Sequence, residues 1–176
     1  MSEKRVPPHS REAEQSILGC MLLDNVSVSS AAELLIPGDF YAPSHKEIFD
    51  ACIQLHQNGK PVDLVTLTDE LSRRNTLDKV GGIEYLSELS RFVPSAVNAA
   101  HYIKIVEEHS VLRQLISAGG EIAKDCYEQE SEISGILGAA EKRIFDIAMR
   151  KNADSLRHIH DALTESYMSI SKALNS

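Results

Sequence analysis

Apolar positions recur at helical spacing along nearly the whole chain, and the interruptions mark where each helix ends. Ala13, Ile17, Cys20 and Met21 fall on one face, with Leu18 and Leu22 widening it. Ser10 stands where it can cap this helix, and Glu12 and Glu14 lie near its positive end. The segment before it, residues 1–9, reads as a flexible arm ended by Pro7-Pro8. A short helix through Ala31, Ala32, Leu34 and Leu35 stops at Pro37-Gly38, a turn that delivers Phe40 and Tyr41 as core plugs. Ser44 and Glu47 have capping-box spacing ahead of Ile48, Cys52 and Leu55, with Phe49 and Ile53 beside them. Gly59 supplies a left-handed ending, and Pro61 delays the next helix until Asp63 caps Leu64, Leu67 and Leu71. Residues 75–82 read as a loop. Ile83, Leu86 and Leu89 then mark a short helix that stops before Pro94. The pattern predicts a globular helical head over residues 10–97.

Beyond Asn98 the rhythm lengthens. Tyr102, Ile105, His109, Leu112, Ile116, Ile122 and Cys126 keep a helical period with no proline between them. Glu128 opens a polar link that leads to Ile133, Ile136, Leu137, Ala140, Ile144 and Ile147. Two long helices joined by a short link fold back as an antiparallel hairpin, here over residues 98–150. Apolar residues also occur off the main stripe of the first helix. Ile103, Val106, Val111 and Leu115 are therefore expected to face a second subunit as an oligomer interface. Gly119-Gly120 lies inside that helix, where each glycine costs about 1 kcal/mol relative to alanine. A close helix approach or a kink would account for the pair. Residues 151–176 form a linker and a connecting helix, whose stripe of Leu156, Ile159, Leu163, Tyr167, Ile170 and Leu174 needs a docking partner. The fold class is all-α: a small head, a long hairpin and a separate C-terminal helix.

Composition narrows the function. Hydrophobic residues make up 43% and charged residues 25% of the 176 positions, which is ordinary globular usage. With no Trp and four Phe, the core must be mainly aliphatic. The net charge of -8 opposes high-affinity contact with nucleic-acid phosphates by this chain itself. Three cysteines (Cys20, Cys52, Cys126) all occupy apolar positions of helices, so each is read as a small buried hydrophobe in a reduced, cytoplasmic compartment. No run approaches the roughly 20 apolar residues of a membrane span.

Candidate chemistry is sparse. A phosphate-binding loop wraps phosphate in backbone amides and needs Gly-x-x-x-x-Gly-Lys followed by Ser or Thr. At Gly59-Lys60 the first glycine is replaced by Gln54 and the hydroxyl residue by Pro61. His158 and His160 are two apart on a helix and face different sides, which does not suit a shared metal. Glu107-Glu108 and Asp69-Glu70 fit solvated helix faces, and His45 reads as first-turn helix chemistry beside Ser44. No catalytic, cofactor-binding or metal residue is assigned.

One set of runs is more specific. Asp39-Phe40-Tyr41, residues 45–51, the run from Gly59-Lys60-Pro61 to Leu67, and Val80-Gly81-Gly82-Ile83-Glu84-Tyr85-Leu86 occur in that order. Together they resemble the N-terminal domain of the bacterial replicative DNA helicases of DnaB type. The resemblance runs from Pro8-His9-Ser10 past Ala140-Glu141-Lys142-Arg143-Ile144-Phe145. It implies a non-catalytic collar on a hexameric ring, built of paired domains, that recruits primase and helicase loader. The connecting helix would pack on the motor domain of a neighbouring subunit. ATP and Mg2+ belong to that motor, which is expected beyond Ser176, so the chain itself is expected not to be an enzyme. The rival reading is a free-standing helical adaptor that shares the domain and competes for its partners.

Overall fold

A computed structural model describes residues 5–128 and 132–151. Among the described residues, side-chain caps set the starts of three helices. Ser10 accepts from the Ala13 N–H and opens α1, Arg11–Leu23. Asp24 ends α1 and opens α2, Asn25–Leu34, by accepting from the Val26 N–H and the Ser27 hydroxyl. Asp63 opens α4, Leu64–Arg73, and Thr66 answers it by accepting from the Asp63 N–H at 3.0 Å. Gly59 has a φ of 67°, the left-handed ending expected ahead of Pro61. Between α4 and α5, Gly82–Phe92, a short 3-10 turn occupies part of the expected loop.

The capping box at Ser44 does not form. α3 spans Pro43–Gln57, with Ala42 as its N-cap and Pro43 in its first turn. Proline fixes a helical φ and lacks an N–H, so the helix starts two residues early and Ser44 is already inside it. Glu47 reaches instead to the Thr76 hydroxyl at 3.0 Å and to Arg74. Arg74 also pairs with Asp50 at 2.7 Å and Glu70 at 2.9 Å, which ties α3 to α4.

The core forms around α1, which packs on α2, α3 and α5. Ile17, Leu18, Cys20 and Met21 are fully buried there, with Phe40 and Phe49 in tilted contact at 4.8 Å. At about 1.5–3 kcal/mol for each large apolar side chain removed from water, these contacts dominate the stability of the head. A Cβ on Gly19 would lie 2.6 Å from the Leu89 carbonyl oxygen, so only glycine lets α1 and α5 approach this closely.

The chain divides into two compact units, parted between Arg113 and Gln114. α6 spans Ala99–Glu128, and its first turns belong to the first unit. Ala99, Ile103 and Val106 enter the same core as α1, and Ser110 is buried against Asp39. In the second unit, α7 (133–151) lies back along the end of α6. Arg143 pairs with Asp125 at 2.7 Å and with Glu121 at 3.0 Å. A continuous helix would hold residues 125 and 143 about 27 Å apart, so the chain reverses between them. All secondary structure among the described residues is helical.

Candidate interaction surface

Two constellations stand out, one polar and buried, the other apolar and exposed. The buried one was missed from sequence. Glu14 projects from α1, His45 from α3 and Tyr85 from α5, and the three meet in a chain. His45 Nδ1 lies 2.6 Å from Glu14, whose carboxylate can only accept, so Nδ1 carries the proton. Nε2 is then free to accept from the Tyr85 hydroxyl at 2.6 Å, and Tyr85 in turn accepts from Gln15 at 3.2 Å. The Tyr41 and Ala42 backbone N–H groups complete the shell of Glu14. Burial alone would raise the Glu14 pKa; the bonds from His45, Tyr41 and Ala42 outweigh it and hold the carboxyl below its ordinary value.

This order of hydroxyl, imidazole and carboxylate resembles a catalytic relay. Yet His45 is wholly buried and Glu14 is 2% exposed, so neither can meet a substrate. The cluster is a clasp that joins α1, α3, α5 and the loop at Tyr41. Its signal was legible: Glu14 is in register with Ile17, Leu18 and Met21, and His45 with Ile48, Phe49 and Cys52. A charged or polar residue on a buried stripe requires a buried partner. Cys52 lies in the same core, where burial pushes its thiol up to about 12, leaving it a packing residue.

The exposed constellation lies on the second unit. Along α7, Ile136, Ala140, Arg143 and Ile147 recur at four, three and four and are half-buried. With Ala118, Ile122 and Asp125 of α6 they form the seam that the Arg143 ion pairs mark. Other apolar side chains lie off this seam. Ile133, Leu137 and Ile144 share one flank of α7, while Phe145 and Met149 are on the side turned away, and all five are exposed. On α6, Leu115 and Ile116 are exposed as well. Ile133 is 78% and Phe145 61% open, more than a solvated helix face ordinarily leaves uncovered in so short a span.

The expected interface set is divided by the structure. Ile103 and Val106 are 2% exposed in the core of the head, so they are not surplus: the short helices below them supply the second neighbour. Val111 is half-buried and Leu115 is 40% exposed. Tyr41 is not a core plug either. It is 37% exposed, because its backbone N–H, not its ring, points into the clasp. Cys126 is exposed, since the seam passes through Ile122 and Asp125. A Cβ on Gly119 or Gly120 would meet nothing within 4 Å, so no close approach within the described chain explains the pair. Leu156, Ile159, Leu163, Tyr167, Ile170 and Leu174 lie outside the described residues. Among the described residues no His, Cys, Asp and Glu group could hold a metal ion, and no helix is long and apolar enough to cross a membrane.

Comparison with known proteins converges on one family. Residues 6–108 match the DnaB-like helicase N-terminal domain. The replicative DNA helicase DnaC of Bacillus subtilis is 44% identical over 171 residues, which are 97% of this chain and 38% of that protein. The chain therefore spans well under half the length of that relative. The crystal structure of the N-terminal domain of DnaB helicase from Mycobacterium tuberculosis superposes with a TM-score of 0.76 at 39% identity. It covers 81% of this chain and 99% of its own. A DnaB-like replicative helicase, described with its interactions with primase, shares the fold at a TM-score of 0.67 and 22% identity. That likeness covers 86% of this chain and 35% of the helicase.

Proposed function

Starting from its place in the DnaB-like helicase N-terminal domain family, to which this chain belongs, we propose that it acts as the non-catalytic collar of a hexameric replicative DNA helicase. In this reading the exposed apolar face of α6 and α7 pairs with the same face of a second copy, and the paired domains build the ring. The observation that carries the proposal is the set of open apolar side chains flanking a satisfied seam, Leu115, Leu137 and Ile144, with Phe145 beyond them. Isologous pairing of identical faces is the commonest way a soluble chain covers such a surface. The reading includes recruitment of primase, with which a structural relative is described as interacting, and of a helicase loader. Residues 155–174 would dock on the motor domain of a neighbouring subunit. ATP binding and strand separation would then be the work of that motor, and the collar would set the spacing and partners of the ring.

The test is the oligomeric state. Light scattering of the chain at high micromolar concentration is expected to give a dimer or larger. Replacing Ile144 and Phe145 with Asp places charges on the open face without entering the seam, and is expected to give a folded monomer. A parent chain that remains monomeric at that concentration overturns the proposal. Binding of a bacterial primase to the parent, read by calorimetry, tests recruitment separately.

A further inference from the structure

The segment before α1 contains two prolines and a histidine, and residues 7–9 are seated on the head. The His9 ring stacks on the Tyr41 ring, with centroids 4.1 Å apart and planes 15° from parallel. Arg113, from α6, donates to the Pro8 carbonyl at 2.8 Å and lies 5.7 Å from the centre of the Tyr41 ring. The His9 Nδ1–H donates to the Pro7 carbonyl at 2.8 Å, which holds the imidazole in its stacking pose.

The receiving side is built independently of the arm. Arg113 also donates to the Asp39 carbonyl, and the Asp39 carboxylate accepts from the Ser110 hydroxyl at 2.6 Å and the Ile36 N–H at 2.8 Å. Asp39 is 1% exposed. Tyr41 is anchored from below by its N–H to the buried Glu14. The guanidinium is thus fixed by the backbone carbonyl of the buried Asp39, and Tyr41 by its N–H to the buried Glu14 carboxylate, contacts that do not involve the arm. A site organised in advance loses little freedom on binding. The arm is suited to it for the same reason, because Pro7 and Pro8 have fixed φ and no N–H to leave unpaired. Extended proline segments on aromatic surfaces are a recurring recognition mode.

We propose that Tyr41 and Arg113 form a peptide receptor on the head, which takes an extended proline-containing segment followed by a ring-bearing residue. Its occupant is the chain's own Pro7-Pro8-His9, held in exchange with solution. The segment supplies a carbonyl to the guanidinium and a flat ring to Tyr41. Among the described residues the arm is tethered by one hydrogen bond to Arg113 and one stack on Tyr41, which makes it displaceable. The site lies wholly in the first unit and does not depend on the collar reading.

The test uses nuclear magnetic resonance on the intact chain and a fluorescent peptide of residues 5–10. The His9 ring protons are expected upfield of their positions in the free peptide, because they lie over the Tyr41 ring. Excess peptide is expected to return them toward the free positions. A chain with residues 2–9 deleted is expected to bind the peptide at least about tenfold more tightly than the intact chain, since its own arm no longer competes at high effective concentration. Arg113→Ala in the chain is expected to abolish binding. His9→Ala in the peptide leaves the head untouched and is expected to weaken binding, which separates recognition from misfolding. Free-peptide shifts for His9 in the intact chain would overturn the proposal. So would failure of millimolar peptide to displace the arm, or affinity that is the same for the intact and deleted chains.

Discussion

At the scale of single residues, the runs that made the sequence recognisable are mostly the polar skeleton of the head. Asp39 closes the turn before Phe40 and anchors α6 through Ser110, His45 is the middle of the buried clasp, and Tyr85 is its end. Gly81, with a φ of 106°, leaves no room for a Cβ, which would lie 2.9 Å from Tyr85 Cβ, and so it aims Tyr85 inward. Glu14→Gln is expected to lower stability at neutral pH by about 1–3 kcal/mol, because an amide cannot accept from Tyr41, Ala42 and His45 together. The pH dependence has a definite sign. The Glu14 pKa is lower folded than unfolded, so its contribution is complete above the ordinary carboxylate range and is lost as pH falls through the depressed value. Chemical denaturation of parent and variant is expected to show a gap that narrows toward strongly acidic pH. A constant gap would mean that the carboxylate charge is not what stabilises the clasp.

The element scale turns on α6. One helix serves two purposes: Ala99, Ile103 and Val106 complete the head, and Ala118 and Ile122 begin the seam with α7. Gly119 and Gly120 lie between the exposed Leu115 and the Arg143 ion pairs with nothing of the described chain near them. Their backbone freedom is therefore a cost with no return inside the chain. Gly119→Ala with Gly120→Ala is expected to stabilise the isolated chain by about 0.5–1 kcal/mol per site, raising its melting temperature at low concentration. If the double variant melts lower than the parent, the helix needs its glycines for a bend. If it melts higher but no longer self-associates, the glycines admit the backbone of a second copy.

For the whole molecule, the two units differ in how much apolar surface they cover. The head has a continuous buried core, while α7 buries a single stripe and leaves Ile133, Leu137, Phe145 and Met149 open. Local opening free energy follows buried contacts. Amide hydrogen exchange is expected to be slowest in α1, α3 and α5 and many-fold faster in α7 at low concentration. Raising the chain concentration is expected to slow α7 selectively. Uniform protection of head and α7 in a dilute, monomeric sample would mean that α7 is stable without a partner.

The sequence by itself determined what depends on neighbours along the chain. Helix periods, the caps at Ser10 and Asp63, the ending at Gly59 and the break before Pro94 are interactions within a few residues, so composition and spacing settle them. The all-helical class was legible for that reason, and the family through the resemblance carried by the runs between Asp39 and Leu86. Tertiary structure alone decided which apolar faces were already satisfied and which polar residues met. Ile103 and Val106 carry the same periodic signal as Leu115, yet the first two close the head and the third faces water. Glu14, His45 and Tyr85 are 31 and 40 positions apart and became one unit only when α1, α3 and α5 packed. Periodicity shows that a side chain seeks cover. Whether the cover comes from its own chain depends on where distant helices lie, and that is a property of the packed molecule.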